Sequence, residues 1–247
     1  AGGRDAFIAK FTTEGEKIWS TYYGGVLNDG AESDAGTGIV TDNVGQVYIC
    51  IITQNTVMAT QGAFQTIPNG NPSYYMIAKF SDTGQRLWST YYGGSNYSEV
   101  NVIAINATGL YVAGFTQCVA QPADLYFGTP GAHQSEPFNC SEAFLSKFSF
   151  DGERLWSTYY GGEGPDIVRG NNLKCFDNNV YLSGYTASNT NIATTGAYQE
   201  NRDSNLTPFL VKFTEDGLRL WGTYCGTGNI SGINFCNTGI DREGNVY

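Results

Sequence analysis

One segment occurs four times along the chain, and nothing else in the sequence limits the fold as tightly. Ala6-Phe7-Ile8-Ala9-Lys10-Phe11 returns as Tyr75-Met76-Ile77-Ala78-Lys79-Phe80, Ala143-Phe144-Leu145-Ser146-Lys147-Phe148 and Pro208-Phe209-Leu210-Val211-Lys212-Phe213. A short polar stretch with a glycine follows each copy, at Gly15, Gly84, Gly152 or Gly217. Next comes Trp19-Ser20-Thr21-Tyr22-Tyr23-Gly24-Gly25, repeated at 88–94 and 156–162 and, in degenerate form, from Trp221 to Thr227. All four tryptophans occupy this position, spaced by 69, 68 and 65 residues. A fixed period of this kind marks a repeat architecture.

A second hairpin lies between these copies. Ile39–Asp42, a turn through Gly45 and Val47–Thr53 read as strand, tight turn, strand. Val102–Asn106 with Leu110–Phe115, and Leu173–Phe176 with Val180–Tyr185, are its counterparts. A third marker closes each unit: Gly62-Ala63-Phe64-Gln65, Gly131-Ala132-His133-Gln134 and Gly196-Ala197-Tyr198-Gln199. Each unit thus holds four short strands: A (Ile39–Asp42), B (Val47–Thr53), C (Tyr75–Phe80) and D (Arg86–Tyr92). With 32 Gly, 17 Tyr and 14 Phe the composition is all-β. Four-stranded antiparallel units in series are the signature of β-propeller blades, which bury their faces only by stacking on neighbours. The expected fold is a single β-propeller region with a C–D hairpin at 1–25, full blades at 37–94, 101–162 and 171–227, and the start of another at 236–247. Trp19, Trp88, Trp156 and Trp221 are read as packing between blades.

That is about four blades' worth of strands, and two closures fit it. The chain is a fragment of a larger ring, because Tyr247 falls inside an apparent strand; seven blades of this length need roughly 450–490 residues. Alternatively, the first C–D hairpin completes the last A–B strands in a four-bladed ring.

In a four-stranded meander the A–B and C–D turns share one face, and the B–C and D–A connections the other. The first set is short and nearly constant. The second varies: from the B-strand Tyr to the C-strand Lys the separations are 31, 36 and 31 residues. Variable loops on a rigid scaffold are where binding resides, so the B–C/D–A face is the expected recognition face. The alternative is that these loops only cover blade edges.

The segments Asp5–Phe11, Trp19–Gly25, Thr129-Pro130-Gly131-Ala132 and Ile240–Tyr247 resemble the bacterial seven-bladed β-propeller repeat (SBBP-type) family. The resemblance runs over essentially the whole chain. It implies secreted or cell-surface bacterial proteins, some similar to type IX secretion cargo or to adhesins, and it brings no catalytic residues. Cys225, Thr227 and Cys175 depart from its pattern.

Charge and chemistry narrow the function. A formal charge of −10 disfavours nucleic acid and anionic membranes as partners. No apolar run is long enough for a transmembrane helix. The single histidine, His133, takes the slot of Phe64 and Tyr198 and reads as a packing residue, leaving no triad. Zinc and nucleotide motifs are absent, so no catalytic, cofactor-binding or zinc residue is assigned. Lys10, Lys79, Lys147 and Lys212 recur once per unit and read as structural, snorkelling at an edge or pairing with an acid. Asp29, Glu32 and Asp34 gather in the first D–A loop and are the only Ca²⁺ candidate, against a solvated acidic loop; Glu99 and Asp166 lie in related loops. Cys118 and Cys140 share the longest B–C connection and form the best disulfide pairing, ahead of Cys225–Cys236, in keeping with an oxidising setting. Cys50 sits in a core slot as a free thiol.

The expected function is a secreted or cell-surface, non-enzymatic scaffold or binding module within a larger multidomain chain. It recognises protein or glycan through its variable face and resembles type IX secretion cargo. The alternatives are the propeller part of a carbohydrate-active enzyme, which needs a converging carboxylate pair, or a purely structural spacer.

Overall fold

Residues 4–25, 34–70, 73–117, 125–139, 141–226 and 237–247 are described by the structure, a computed structural model. Among them every regular element is a strand and none is a helix. β1 (Ala6–Phe11) and β2 (Lys17–Tyr23) form an antiparallel hairpin. β3 (Ala35–Thr41), β4 (Val47–Thr53), β5 (Tyr74–Phe80) and β6 (Arg86–Tyr91) follow as an antiparallel sheet in that order. β7 (Tyr97–Asn106), β8 (Gly109–Gln117), β9 (Ser141–Phe148) and β10 (Arg154–Tyr160) make a second. In the third, β13 (Asn179–Thr186), β14 (Thr207–Thr214) and β15 (Arg219–Tyr224) carry on one edge two short strands, β11 (Asp166–Ile167) and β12 (Leu173–Phe176). Both pair with β13, so the first strand of this sheet is split in two.

The core lies between sheets rather than within one. Tyr111, Leu145 and Tyr160 of the second sheet pack on Leu173, Val180 and Phe209 of the third. Tyr48, Cys50 and Ile77 of the first pack on Val112, Phe144 and Phe148 of the second. Ala6, Ile8 and Tyr23 of the hairpin pack on Ile49, Met76 and Phe80 of the first sheet. Each sheet therefore needs the next to bury its face.

A single polar contact recurs at all three junctions. The indole N–H groups of Trp19, Trp88 and Trp156 donate to the carbonyls of Asp82 (2.8 Å), Phe150 (3.0 Å) and Glu215 (3.0 Å), each in the β-turn of the following sheet. The ammonium groups of Lys10, Lys79 and Lys147 donate to the same three carbonyls at 3.2, 3.0 and 3.2 Å. The partner of these lysines is thus a backbone carbonyl, not the edge or acid expected from sequence. Lys79 and Lys147 also lie over the rings of Tyr48 and Tyr111.

The strand register explains why two residues reach one oxygen. Trp and Lys are cross-strand partners in every hairpin, and the register slips immediately beside them. The extra residue of this β-bulge, Ile18, Leu87, Leu155 or Leu220, is left about half exposed, between 48% and 54%. The carbonyl's turn ends in a glycine that lies under the indole. At Gly84, Gly152 and Gly217 φ is +83°, +88° and +84°, and an added Cβ would come within 2.9–3.1 Å of the ring. Only glycine meets both demands.

The A strands begin earlier than their sequence suggests. β3 starts at Ala35 and β7 at Tyr97, because a bulge lets the residues after the D–A connection join the ladder. Thr37 and Asn101 are the bulged residues.

Gly15 has the same turn conformation (φ +87°) but no indole above it. We therefore expect Gly152→Ala or Gly217→Ala to destabilise the chain by about 1–3 kcal/mol beyond Gly15→Ala, measured by urea unfolding. Equal losses at all three positions would mean that the indole contact contributes nothing.

Candidate functional site

The first strands of the first two sheets and the segment between β11 and β12 line one groove of about 710 Å³, walled by Thr37, Gly38 and Ile39 of β3, Glu99 and Asn101 to Ile103 of β7, and Arg169 to Asn171. Two of its polar side chains, Thr37 and Asn101, come from bulges, which re-aim them off the regular ladder. Thr37 Oγ1 donates to the Val100 carbonyl (3.2 Å) and Asn101 Nδ2 to the Val168 carbonyl (3.1 Å). Each bulged residue thus ties its sheet to the next at the groove. Arg169 follows Val168 as Asn101 follows Val100, in the gap between β11 and β12.

Arg169 turns back instead of onward. Its guanidinium meets Glu99 through two of its nitrogens, Nη2 to Oε1 at 2.8 Å and Nε to Oε2 at 3.2 Å, the two-point geometry that arginine favours. Tyr97 donates to Oε1 (2.5 Å) and Asn101 Nδ2 to Oε2 (3.0 Å). The guanidinium covers the Phe115 ring at 4.9 Å. Burial pushes the Glu99 carboxyl up, but Arg169, Tyr97 and Asn101 more than offset this and hold it below its ordinary value. The groove therefore presents a neutralised ion pair, two amides, a hydroxyl and aliphatic carbon.

The B–C connections are largely occupied elsewhere. Thr60 and Gln65 bond the backbone of β6 from its open side (Thr60 N–H to Ser89 O, Tyr91 N–H to Gln65 O), and 129–134 and 194–199 do the same to β10 and β15. Arg86, Arg154 and Arg219 pin the same loops by donating to the carbonyls of Met58, Tyr126 and Asn191. The Gly-Ala-Xaa-Gln marker is thus an edge cover that blocks further strand pairing. His133, within it, packs between Tyr160 and Phe213, and burial pushes its pKa down to about 4.

Other sequence candidates separate. Asp29, Glu32, Cys118, Cys140 and Cys236 lie outside the described residues. Asp34 is buried, with Oδ2 accepting from the Gly25 N–H at 3.0 Å. Cys50 is a buried free thiol whose pKa burial pushes up to about 12. Glu99 and Asp166, grouped by loop position in the sequence, part company: Glu99 faces the groove, whereas Asp166 is fully buried beside Glu142. Arg169 and Glu142 went unremarked in the sequence. Glu142 precedes Ala143-Phe144 as Asp5 precedes Ala6-Phe7, and that match was the available signal.

No family model matches the chain. It is similar to the regulatory protein FlaEY of Caulobacter vibrioides, with 26% identity over 191 residues, 69% of this chain. The chain spans 18% of that relative's length. A crystal structure of a protein of unknown function from Bacteroides caccae matches 87% of this chain and 73% of its own, with 10% identity and a TM-score of 0.29.

Arg169→Gln leaves Glu99 partly buried without its cation, an expected loss of about 2–3 kcal/mol at pH 7. Because the Glu99 pKa is lowered in the fold, this contribution is present above the ordinary carboxylate value and fades as pH falls through the folded one. The difference between wild type and variant in urea unfolding should therefore narrow on acidification. A constant difference would assign the loss to packing on Phe115.

Proposed function

We propose that the sheets are blades of a β-propeller and that the chain is a binding scaffold receiving its ligand in the groove of the inner strands. The observation that carries this reading is the groove itself. Three successive sheets each contribute the equivalent segment to one concavity, as the inner strands of a propeller do around its axis. Its volume is in the usual range for a ligand site, about 300–1,000 Å³. Identical Trp–Lys contacts at each junction support a constant rotation from sheet to sheet.

The lining selects a ligand class. Asn101, Asn171 and Thr37 offer neutral donors and acceptors, Ile39, Val102 and Ile103 offer apolar surface, and the single charged pair is internally neutralised. Such a wall suits a neutral polar chain, a glycan or a protein loop, better than a phosphate or a strongly charged partner. The acidic balance points the same way. In this reading the protein works outside the cell or at a bacterial surface, as part of a larger chain, with the B–C loops serving as edge covers.

The test is a glycan array together with capture of surface proteins by the purified chain. Binding should fall at least tenfold in Asn101→Ala and Asn171→Ala, and survive exchange of the 66–70 loop tip. Binding that ignores both alanines and disappears with the loop tip would move recognition to the B–C loops.

A further inference from the structure

Two carboxylates are buried together where the second sheet meets the third. Glu142 is the second residue of β9 and Asp166 the first of β11, and both are 0% exposed. A side chain at Gly161 would run into Asp166 Oδ2 and come within 2.8 Å of the Glu142 carboxyl carbon, so both acids crowd one glycine. One oxygen of each is satisfied. Glu142 Oε1 accepts from Gln134 Nε2 (2.6 Å) and from the Phe138 N–H (3.4 Å). Asp166 Oδ2 accepts from the Gly162 N–H and the Ser188 hydroxyl, both at 2.9 Å. The other oxygens, Glu142 Oε2 and Asp166 Oδ1, have no hydrogen-bond partner among the described residues.

Among the described residues no cationic side chain forms a salt bridge with either. The salt bridge among the described residues is Arg169–Glu99, and it lies in the groove. Two buried carboxylates without positive charge carry an uncompensated desolvation cost. The strain shows in their acidity: burial and then the charge of Asp166 push Glu142 up to about 8, and burial pushes Asp166 up to about 7 against the nearby Thr186, Gly162 and Ser188 groups. Further oxygens stand in the same cluster. Gln134 Oε1 and the Gly161 carbonyl are joined through Asn191 Nδ2 at 3.1 and 2.7 Å.

The arrangement is not unique to this junction. Asp5 and Asp34 crowd Gly24 in the same way, the Gly25 N–H donates to Asp34 Oδ2, and Asp34 Oδ1 also lacks a partner. Between these two junctions the corresponding residues are Tyr74 and Ser98, both neutral. The two positions are acidic together or neutral together, as a shared ligand requires and independent surface acids do not.

We propose that Glu142 and Asp166 hold a single divalent, oxygen-seeking cation of the Ca²⁺ class between two sheets. Such ions take carboxylate, amide and carbonyl oxygens, and one ion would satisfy both orphan atoms and supply the missing charge. It would act as a staple between sheets, removable by chelation.

The test uses the 247-residue chain carrying Asp5→Asn and Asp34→Asn, so that the first junction cannot respond. Melting is followed in EDTA, CaCl₂ and MgCl₂ at pH 5 and pH 8, with calorimetric titration of Ca²⁺. In EDTA the melting temperature should fall from pH 5 to pH 8, because raised carboxyl pKa values stabilise below the unfolded value and are lost on deprotonation. Ca²⁺ should restore it at pH 8 with one site per chain, and have little effect at pH 5. Adding Glu142→Gln and Asp166→Asn should abolish the Ca²⁺ response without lowering the melting temperature in EDTA at pH 8. A Ca²⁺ response that survives these substitutions overturns the site. So does a pH-dependent melting temperature that Ca²⁺ leaves unchanged at pH 8, which would identify a shared proton instead.

Discussion

A carbonyl oxygen has two lone pairs, and the packing of this protein depends on filling both from the neighbouring sheet. At each described junction one oxygen, of Asp82, Phe150 or Glu215, takes an indole N–H and a lysine ammonium together. The indole fixes position because its N–H has one direction and its ring needs a flat surface below. The glycine two residues after the carbonyl supplies that surface. The ammonium adds a charge-assisted bond, stronger than a neutral one, and those of Lys79 and Lys147 also lie over tyrosine rings. With this contact set, the spacing and rotation between sheets are set, and the aromatic layers interdigitate accordingly. The groove and the acid pair both lie at sheet junctions and inherit their geometry from it.

Strand type and the four-strand unit were legible in the sequence because they rest on local periodicity and turn glycines; the split of the third sheet's first strand into β11 and β12 was not, and Ile240 and Val246 form only an isolated bridge. The tryptophan's place in each unit was equally visible. Its bonding was not, because the acceptor is a backbone atom some 60 residues away and any residue supplies a carbonyl. The lysines invited a carboxylate partner for the same reason. Bulges escaped as well: Leu87 and Leu155 look like ordinary strand residues until the register slips beside them. Thr37 and Asn101, the bulged residues of β3 and β7, meet the groove through a slip of the same kind.

The acids show a different limit. Asp166 and Glu99 sit at similar distances after their Gly-Gly pairs, yet one is buried without a counter-charge and the other is clamped by Arg169. Their roles are decided by where each lies on its strand and what the next sheet places opposite. Glu142 and Arg169 both act across a sheet junction; the match to Asp5 ahead of the repeated segment was the local signal for Glu142, and Arg169 had none. The edge-covering role of the Gly-Ala-Xaa-Gln marker was one of two readings of the loops, and its bonds to β6, β10 and β15 favour that one for this segment.

The central claim is that three indole N–H groups are locked into carbonyls of the following sheet. Hydrogen exchange of the four indole N–H signals, resolved by NMR on the 247-residue chain, tests it most directly. Trp19, Trp88 and Trp156 should exchange slowly, at rates set by opening of the sheet junctions, and Trp221, whose N–H has no acceptor among the described residues, should exchange fast. Gly152→Ala should speed Trp88 well ahead of Trp19. Four indoles exchanging alike, or a Trp88 rate indifferent to the Gly152 substitution, would contradict the account.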